Sequence, residues 1–210
     1  MTRSACRTTA AVLLAVGTAF GAPRPAAAQG SGSAAAAYPG RYPYTEADIN
    51  FVTGMIGHHA QAIVMAGWAP THGANKSVSI LCERIINAQQ DEITLMQSWL
   101  RDRKQPVPEA KAGPMKMKMN GTEMEMMMPG MLTDDQMKQL DKARGPEFDR
   151  LFLTFMIQHH QGAITMVNEL FASPGAGQDE FMYKFASDVF ADQGTEIERM
   201  QKMLTSLPGK

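Results

Sequence analysis

The chain lacks most of what would point to a familiar chemistry. It has two cysteines, Cys6 near the start and Cys82 in the body. A body with one cysteine has no internal disulfide and no closed thiolate zinc site. Basic and acidic residues nearly balance, 20 against 21, so there is no basic face for nucleic acid. The apolar run Ala10–Phe20 is too short to cross a bilayer. No nucleophile–base constellation, P-loop or Rossmann fingerprint is present. No stretch shows sustained alternation, and no sheet is expected.

Arg3 and Arg7, the apolar run and the small residues Ala26-Ala27-Ala28 form the pattern of a secretory signal peptide over 1–28. Its removal takes away Arg3, Arg7 and Arg24 and no acid, moving the formal balance from −1 to −4. The expected location is the periplasm or outside the cell, with no stable membrane insertion after cleavage. The mature start Gln29-Gly30-Ser31 has no histidine at its third position, so an amino-terminal Cu(II) clip is excluded. Residues 29–44 are rich in Gly, Ser, Ala and Pro and read as a flexible lead-in.

One pattern then occurs twice: Met55-Ile56-Gly57-His58-His59 with Met65, and Met156-Ile157-Gln158-His159-His160 with Met166. The copies hold four of the five histidines. Aligning His58 with His159 also pairs Asp48 with Asp149, Phe51 with Phe152 and Ala62 with Ala163. Downstream, Gln89-x-x-Glu92-Ile93-x-x-Met96-Gln97 matches Gln193-x-x-Glu196-Ile197-x-x-Met200-Gln201. Capping residues and prolines predict helices over about 45–69, 77–103, 146–173 and 178–206. The body is thus two copies of a helical hairpin. The expected architecture is an all-α four-helix bundle over 45–206, with a long Met-rich crossover. That crossover comprises a Met-rich loop, 103–132, and a short helix, 133–144, opened by the capping box Thr133-Asp134-Asp135-Gln136.

At about 100° per residue, Met55, His58, His59, Ala62 and Met65 share one inward helical face. Met156, His159, His160, Ala163 and Met166 repeat it. Two buried imidazoles are costly unless they are hydrogen-bonded or metal-bound. Gln89, Glu92 and Met96, and their counterparts Gln193, Glu196 and Met200, fall on the apolar faces of the partner helices, which predicts one polar layer across the bundle centre. Glu92 and Glu196 are candidate ligands, or acceptors that orient the imidazoles. Met96 and Met200 taken singly read as core filler.

The residue types select the metal. A di-iron bundle uses Glu-x-x-His, whereas here methionine stands three residues before each first histidine. Thioethers favour Cu(I), and imidazole also suits Cu(II). The connection adds eight methionines between 115 and 131: Met115, Met117, Met119, Met124, Met126, Met127, Met128 and Met131. With almost no other apolar residue, it reads as a flexible Cu(I) collector, or as a tract that scavenges oxidants. His72 in the first turn reads as solvated, and Cys82 as a small buried hydrophobe.

The Met-Ile-x-His-His pair, the Gln-x-x-Glu-Ile-x-x-Met-Gln pattern and Met128-Pro-Gly-Met131-Leu-Thr together resemble the domain of unknown function 305 family, which includes exported copper-binding proteins of the CopM type. The resemblance spans about Thr45 to Leu204. It implies a ferritin-like bundle and periplasmic copper binding and resistance, with His58, His59, His159, His160, Met55, Met65, Met156 and Met166 as site residues. The leading expectation is a non-enzymatic copper-binding protein that sequesters or delivers copper, with another exported copper-handling protein as a further partner. The alternatives are a ferritin-like di-metal oxidase using His and Glu, and a structural module with a buried His/Glu network.

Overall fold

Thr45 opens the first helix with a reciprocal cap. Its hydroxyl accepts from the Asp48 amide, and the Asp48 carboxylate accepts from the Thr45 amide at 2.7 Å. Two groups that a helix start leaves unpaired are thereby satisfied. The computed structural model describes residues 43–119 and 121–207. In chain order these form α1 (Glu46–Gly67), α2 (Lys76–Asp102), β1 (Met115–Met119), β2 (Thr122–Met126), α3 (Asp134–Lys142), α4 (Pro146–Ala172) and α5 (Glu180–Ser206). The expected signal peptide, and the lead-in up to residue 42, lie outside the described residues.

The other starts follow the same local chemistry. Asn75 caps α2 by accepting from the Ser77 and Val78 amides, and Asp179 caps α5 by accepting from Met182. Thr133 and Gln136 form the capping box of α3. Gly145 precedes α4 with φ 57°, and Pro146 occupies its first turn, where a missing N–H costs nothing.

Each repeat folds as a hairpin, α1 along α2 and α4 along α5, and the hairpins meet where α1 packs on α4. These two central helices run antiparallel. Asp48, near the start of α1, accepts from the Gly177 amide beyond α4 at 2.8 Å. Asp149, near the start of α4, accepts from the Asn75 amide and side chain beyond α1 at 3.1 and 2.7 Å. Each repeat therefore latches the turn of the other.

The expected absence of a sheet does not hold, and the Met-rich connection is not a loose loop. Residues 115–126 form an antiparallel hairpin lying on α1, with Met115 opposite Met126, Lys116 opposite Glu125 and Met117 opposite Met124. Met-Lys-Met-Lys-Met is an alternating strand too short to stand out from low complexity. Its partner supplies opposite charges across the ladder, and Gly121, at φ 81°, takes the turn.

The apolar core forms two clusters. Met55, Met96, Met128 and Met166 belong to one, and Met65, Met156 and Met200 to the other. The paired histidines lie between them along α1 and α4. Met55 and Met65, placed on one face by helical periodicity, thus serve opposite halves of the molecule, as do Met156 and Met166. The antiparallel crossing causes the exchange: the far end of each central helix reaches the other repeat.

Candidate metal centre

Neighbouring residues on a helix point about 100° apart, and each His-His pair uses that divergence. His58 and His159 face each other across the α1–α4 contact, with ring centroids 3.7 Å apart. His59 turns to α2 and His160 to α5. His59 Nε2 lies 2.6 Å from Glu92 Oε2, and His160 Nε2 lies 2.7 Å from Glu196 Oε2. All four imidazoles are fully buried.

The inner pair is held by carbonyl groups. His58 Nε2–H donates to the Pro129 carbonyl and His159 Nε2–H to the His58 carbonyl, each at 3.0 Å. A carbonyl only accepts, which fixes the proton on Nε2 and leaves Nδ1 as a bare lone pair. Among the described residues, Nδ1 of His58, His59, His159 and His160 has no hydrogen-bond partner. Gln89 Oε1 and both polar atoms of the buried Gln193 side chain are also unpartnered. Buried polar atoms are ordinarily satisfied; this concentration of orphans at the middle of the helices marks the site.

The electrostatics keep the inner pair neutral. Burial first, and the neighbouring His59 second, push the His58 pKa down from 6.5 to about 3. Burial and the facing His58 hold His159 well below the ordinary histidine value. The outer side is acidic. The carboxylates of Glu92 and Glu196 are 20% and 17% exposed. The Asp192 carboxyl is raised by partial burial and then by the charges of Glu92, Asp188 and Glu196. A rim of carboxylates therefore stands outside a nitrogen-rich centre whose inner pair is neutral.

A strap seals the centre from the side of the Met-rich segment. Gln61 donates to the Leu132 carbonyl at 3.0 Å and accepts from the Leu132 amide at 2.7 Å. Gln158 donates to the Gly130 carbonyl at 3.2 Å. At Gly162 the chain passes so close that a Cβ would lie 2.0 Å from the Pro129 oxygen. Gln61 and Gly162 were not singled out by sequence reasoning, and Pro129 and Gly130 stood out only as part of the family motif. The available signal was the break in the repeat, which sets Gly57 against Gln158 and Gln61 against Gly162.

The other candidates distribute unevenly. Met115 and Met128 are buried, Met117 and Met126 half-buried, and Met124 and Met127 exposed. The side chain of Met119 lies outside the described residues. His72 is not solvated as expected. It is 4% exposed, its Nδ1 lies 2.9 Å from Thr71 Oγ1, and its Nε2–H donates to the Asp141 carbonyl at 2.9 Å. It joins the first turn to α3, with both ring nitrogens engaged. Cys82 is buried, and its thiol is pushed up to about 12, chiefly by burial, so it is held as the neutral thiol.

Among the described residues, no three His, Cys, Asp or Glu side chains converge as a cage for a metal ion. The unpartnered imidazole Nδ1 atoms are the free donor atoms of the centre. His59 can use Nδ1 while Glu92 holds Nε2, the arrangement in which a carboxylate orients a metal-binding imidazole.

Comparison with known proteins agrees with this architecture. A family model described as domain of unknown function (DUF305) matches residues 48–204. Among solved structures, a DUF305 protein from Streptomyces coelicolor is 26% identical, with a TM-score of 0.64 over 78% of this chain and 94% of its own. CopM in its Cu(I)-bound form is 28% identical, with a TM-score of 0.58 over 77% of this chain and 98% of its own. The Cu(II)-bound form is 27% identical, with a TM-score of 0.58 over 76% and 96%. No curated protein matches the chain. No described helix is long and apolar enough to cross a membrane.

Proposed function

The chain belongs to the DUF305 family, and from that premise we propose that it is an exported protein that binds copper as cargo through buried imidazole and thioether groups. The observation that carries this reading is the set of four fully buried imidazoles whose Nδ1 atoms have no partner. Neutral imidazole nitrogen suits copper in both oxidation states, and the methionines of the adjoining clusters bias the set towards Cu(I). The structural kinship with CopM, solved in Cu(I)- and Cu(II)-bound forms, supports the same cargo.

The site residues are His58, His59, His159 and His160, with Met55, Met96 and Met166 on one side and Met156, Met200 and Met65 on the other. Glu92 and Glu196 orient His59 and His160. The pseudo-symmetry supports two half-sites sharing the inner His58–His159 pair. The four long helices form a ferritin-like bundle in which a thioether replaces the carboxylate of the di-iron motif. Residues 1–28 direct export and are removed. Stoichiometric binding needs no turnover and serves sequestration or delivery.

The hydrogen bonds His59–Glu92 and His160–Glu196 favour one other reading, a structural network. It leaves four orphaned nitrogens unexplained. Thermal unfolding with and without Cu(I) under anaerobic conditions separates the two. A ligand that binds only the folded state at 100 times its Kd adds about 2.7 kcal/mol of stability. Copper raises the melting temperature if the binding reading holds; an unchanged melting temperature supports the network.

A further inference from the structure

The β1–β2 hairpin has one face made of sulfur. Residues directly opposite in an antiparallel pair project to the same face, about 4.5–5.5 Å apart at Cβ. The register therefore sets two thioether rungs side by side, Met115 with Met126 and Met117 with Met124, while Lys116 and Glu125 take the other face. Methionine is the only apolar residue type between 115 and 126. A hairpin that only needed an apolar face would use β-branched or aromatic residues, which fit strands better. Sulfur rather than apolarity distinguishes this face.

Burial along the face is graded. Met124 is 48% exposed, Met117 and Met126 are half-buried against the first core cluster, and Met115 is 7% exposed. The inner end sits on α1 where side chains are missing. A Cβ at Gly57 would lie 2.4 Å from Met115 Sδ, and one at Gly54 would lie 2.4 Å from Met128 Sδ. Two thioethers thus reach the helix surface beside Met55 and immediately before His58. Met128 shares its cluster with Met55, Met96 and Met166. The second cluster, with Met65, Met156 and Met200, has no comparable approach among the described residues.

We infer that the methionine face of this hairpin is a separate loading site for a soft monovalent ion, which passes its cargo inward to the His59 half of the centre before the His160 half. This rests on the copper-binding reading above. It departs from the expected flexible collector, because the sulfurs are held in register and aimed at one of two otherwise similar halves. Transfer is ligand exchange between neighbouring thioethers and then to imidazole, with no change in the oxidation state of the ion.

The test uses the mature chain and Ag(I) alone, in chloride-free buffer, as a redox-inert soft ion. Binding is measured for the wild type, for the variant with all four paired histidines changed to Ala, and for that variant with Met117→Leu and Met124→Leu added. The expected result is that the four-histidine variant keeps one Ag(I) equivalent, and that the two leucines remove it. If that variant binds nothing while the wild type binds, the loading site is overturned and the bundle reading stands; if its binding is indifferent to the leucines, the loading site is overturned. If the wild type itself binds no Ag(I), both readings fail. Filling order in the folded wild type is read from carbon-13-labelled methionine methyl groups, assigned by single Met→Leu variants. First shifts at Met117, Met124 and Met126, then at Met55 and Met96, support the inference. First shifts at Met156 and Met200, or none on the hairpin, overturn it.

Discussion

His58 and His159 lie with ring centroids 3.7 Å apart and planes tilted by 37°, and His159 donates from Nε2 to the backbone carbonyl of His58. The second repeat thus fixes the tautomer of its own histidine with the backbone of the first. Its consequence is a pair of imidazoles that stay neutral and keep Nδ1 free.

Acid should unfold the metal-free protein from within. His58 falls from 6.5 to about 3 in the folded state, and His159 is shifted in the same direction. Below the unfolded value the unfolded chain binds more protons, so stability is full above about pH 6.5 and is lost as the pH falls. The pair accounts for up to about 3 kcal/mol per pH unit within that window. Urea midpoints at pH 7.5, 6 and 5 should decline; a constant midpoint contradicts the buried neutral pair.

Glu92→Gln and Glu196→Gln keep an acceptor for Nε2 and remove the charge. If the carboxylates orient the imidazoles, copper affinity should drop roughly 10–100-fold, while the helical spectrum of the metal-free protein is retained. Chelator competition on each variant reads this directly, and unchanged affinity denies the carboxylates that role.

Gly162→Ala should destabilise. Its Cβ would meet the Pro129 oxygen at 2.0 Å and the Gly130 Cα at 2.6 Å, and both are backbone atoms with little room to move. A cost of about 1–3 kcal/mol is expected from overpacking. Gly67→Ala, with nothing within 4 Å, should be neutral or gain up to about 1 kcal/mol from helix propensity. Thermal melts of the two variants should therefore move in different directions from the wild type or differ clearly in size.

Asp149→Ala breaks the latch to Asn75, and Asp48→Ala breaks the latch to Gly177. Asp48→Ala should cost about 1–3 kcal/mol, because the buried Gly177 amide loses its acceptor and the Thr45 cap opens as well. Asp149→Ala should cost less, about 1 kcal/mol, because Asn75 is exposed and water can take the place of the carboxylate. Chemical denaturation reads both, and a larger loss at Asp149 than at Asp48 contradicts this ranking.

The helices were legible because caps, prolines and the twin motif all mark local chemistry, as Thr45, Thr133 and Pro146 show. The repeat gave the hairpins for the same reason. The exchange of Met65 and Met166 between halves was not legible: it depends on the antiparallel crossing, which no local signal specifies. Periodicity placed both histidines of each pair on one face but did not show that one meets its twin and the other a glutamate. The strap from Met128 to Leu132 acts through backbone carbonyls, whose direction side-chain identity does not reveal. His72 looked like a turn residue because Asp141, its partner, is distant in the chain.

Copper binding by the paired histidines is read out by anaerobic titration of the mature protein with Cu(I) against a competing chelator. The wild type should withdraw copper from the chelator, and the variant with His58, His59, His159 and His160 all changed to Ala should lose most of that affinity. Equal affinity in the two proteins would mean that copper binds elsewhere than at the paired histidines.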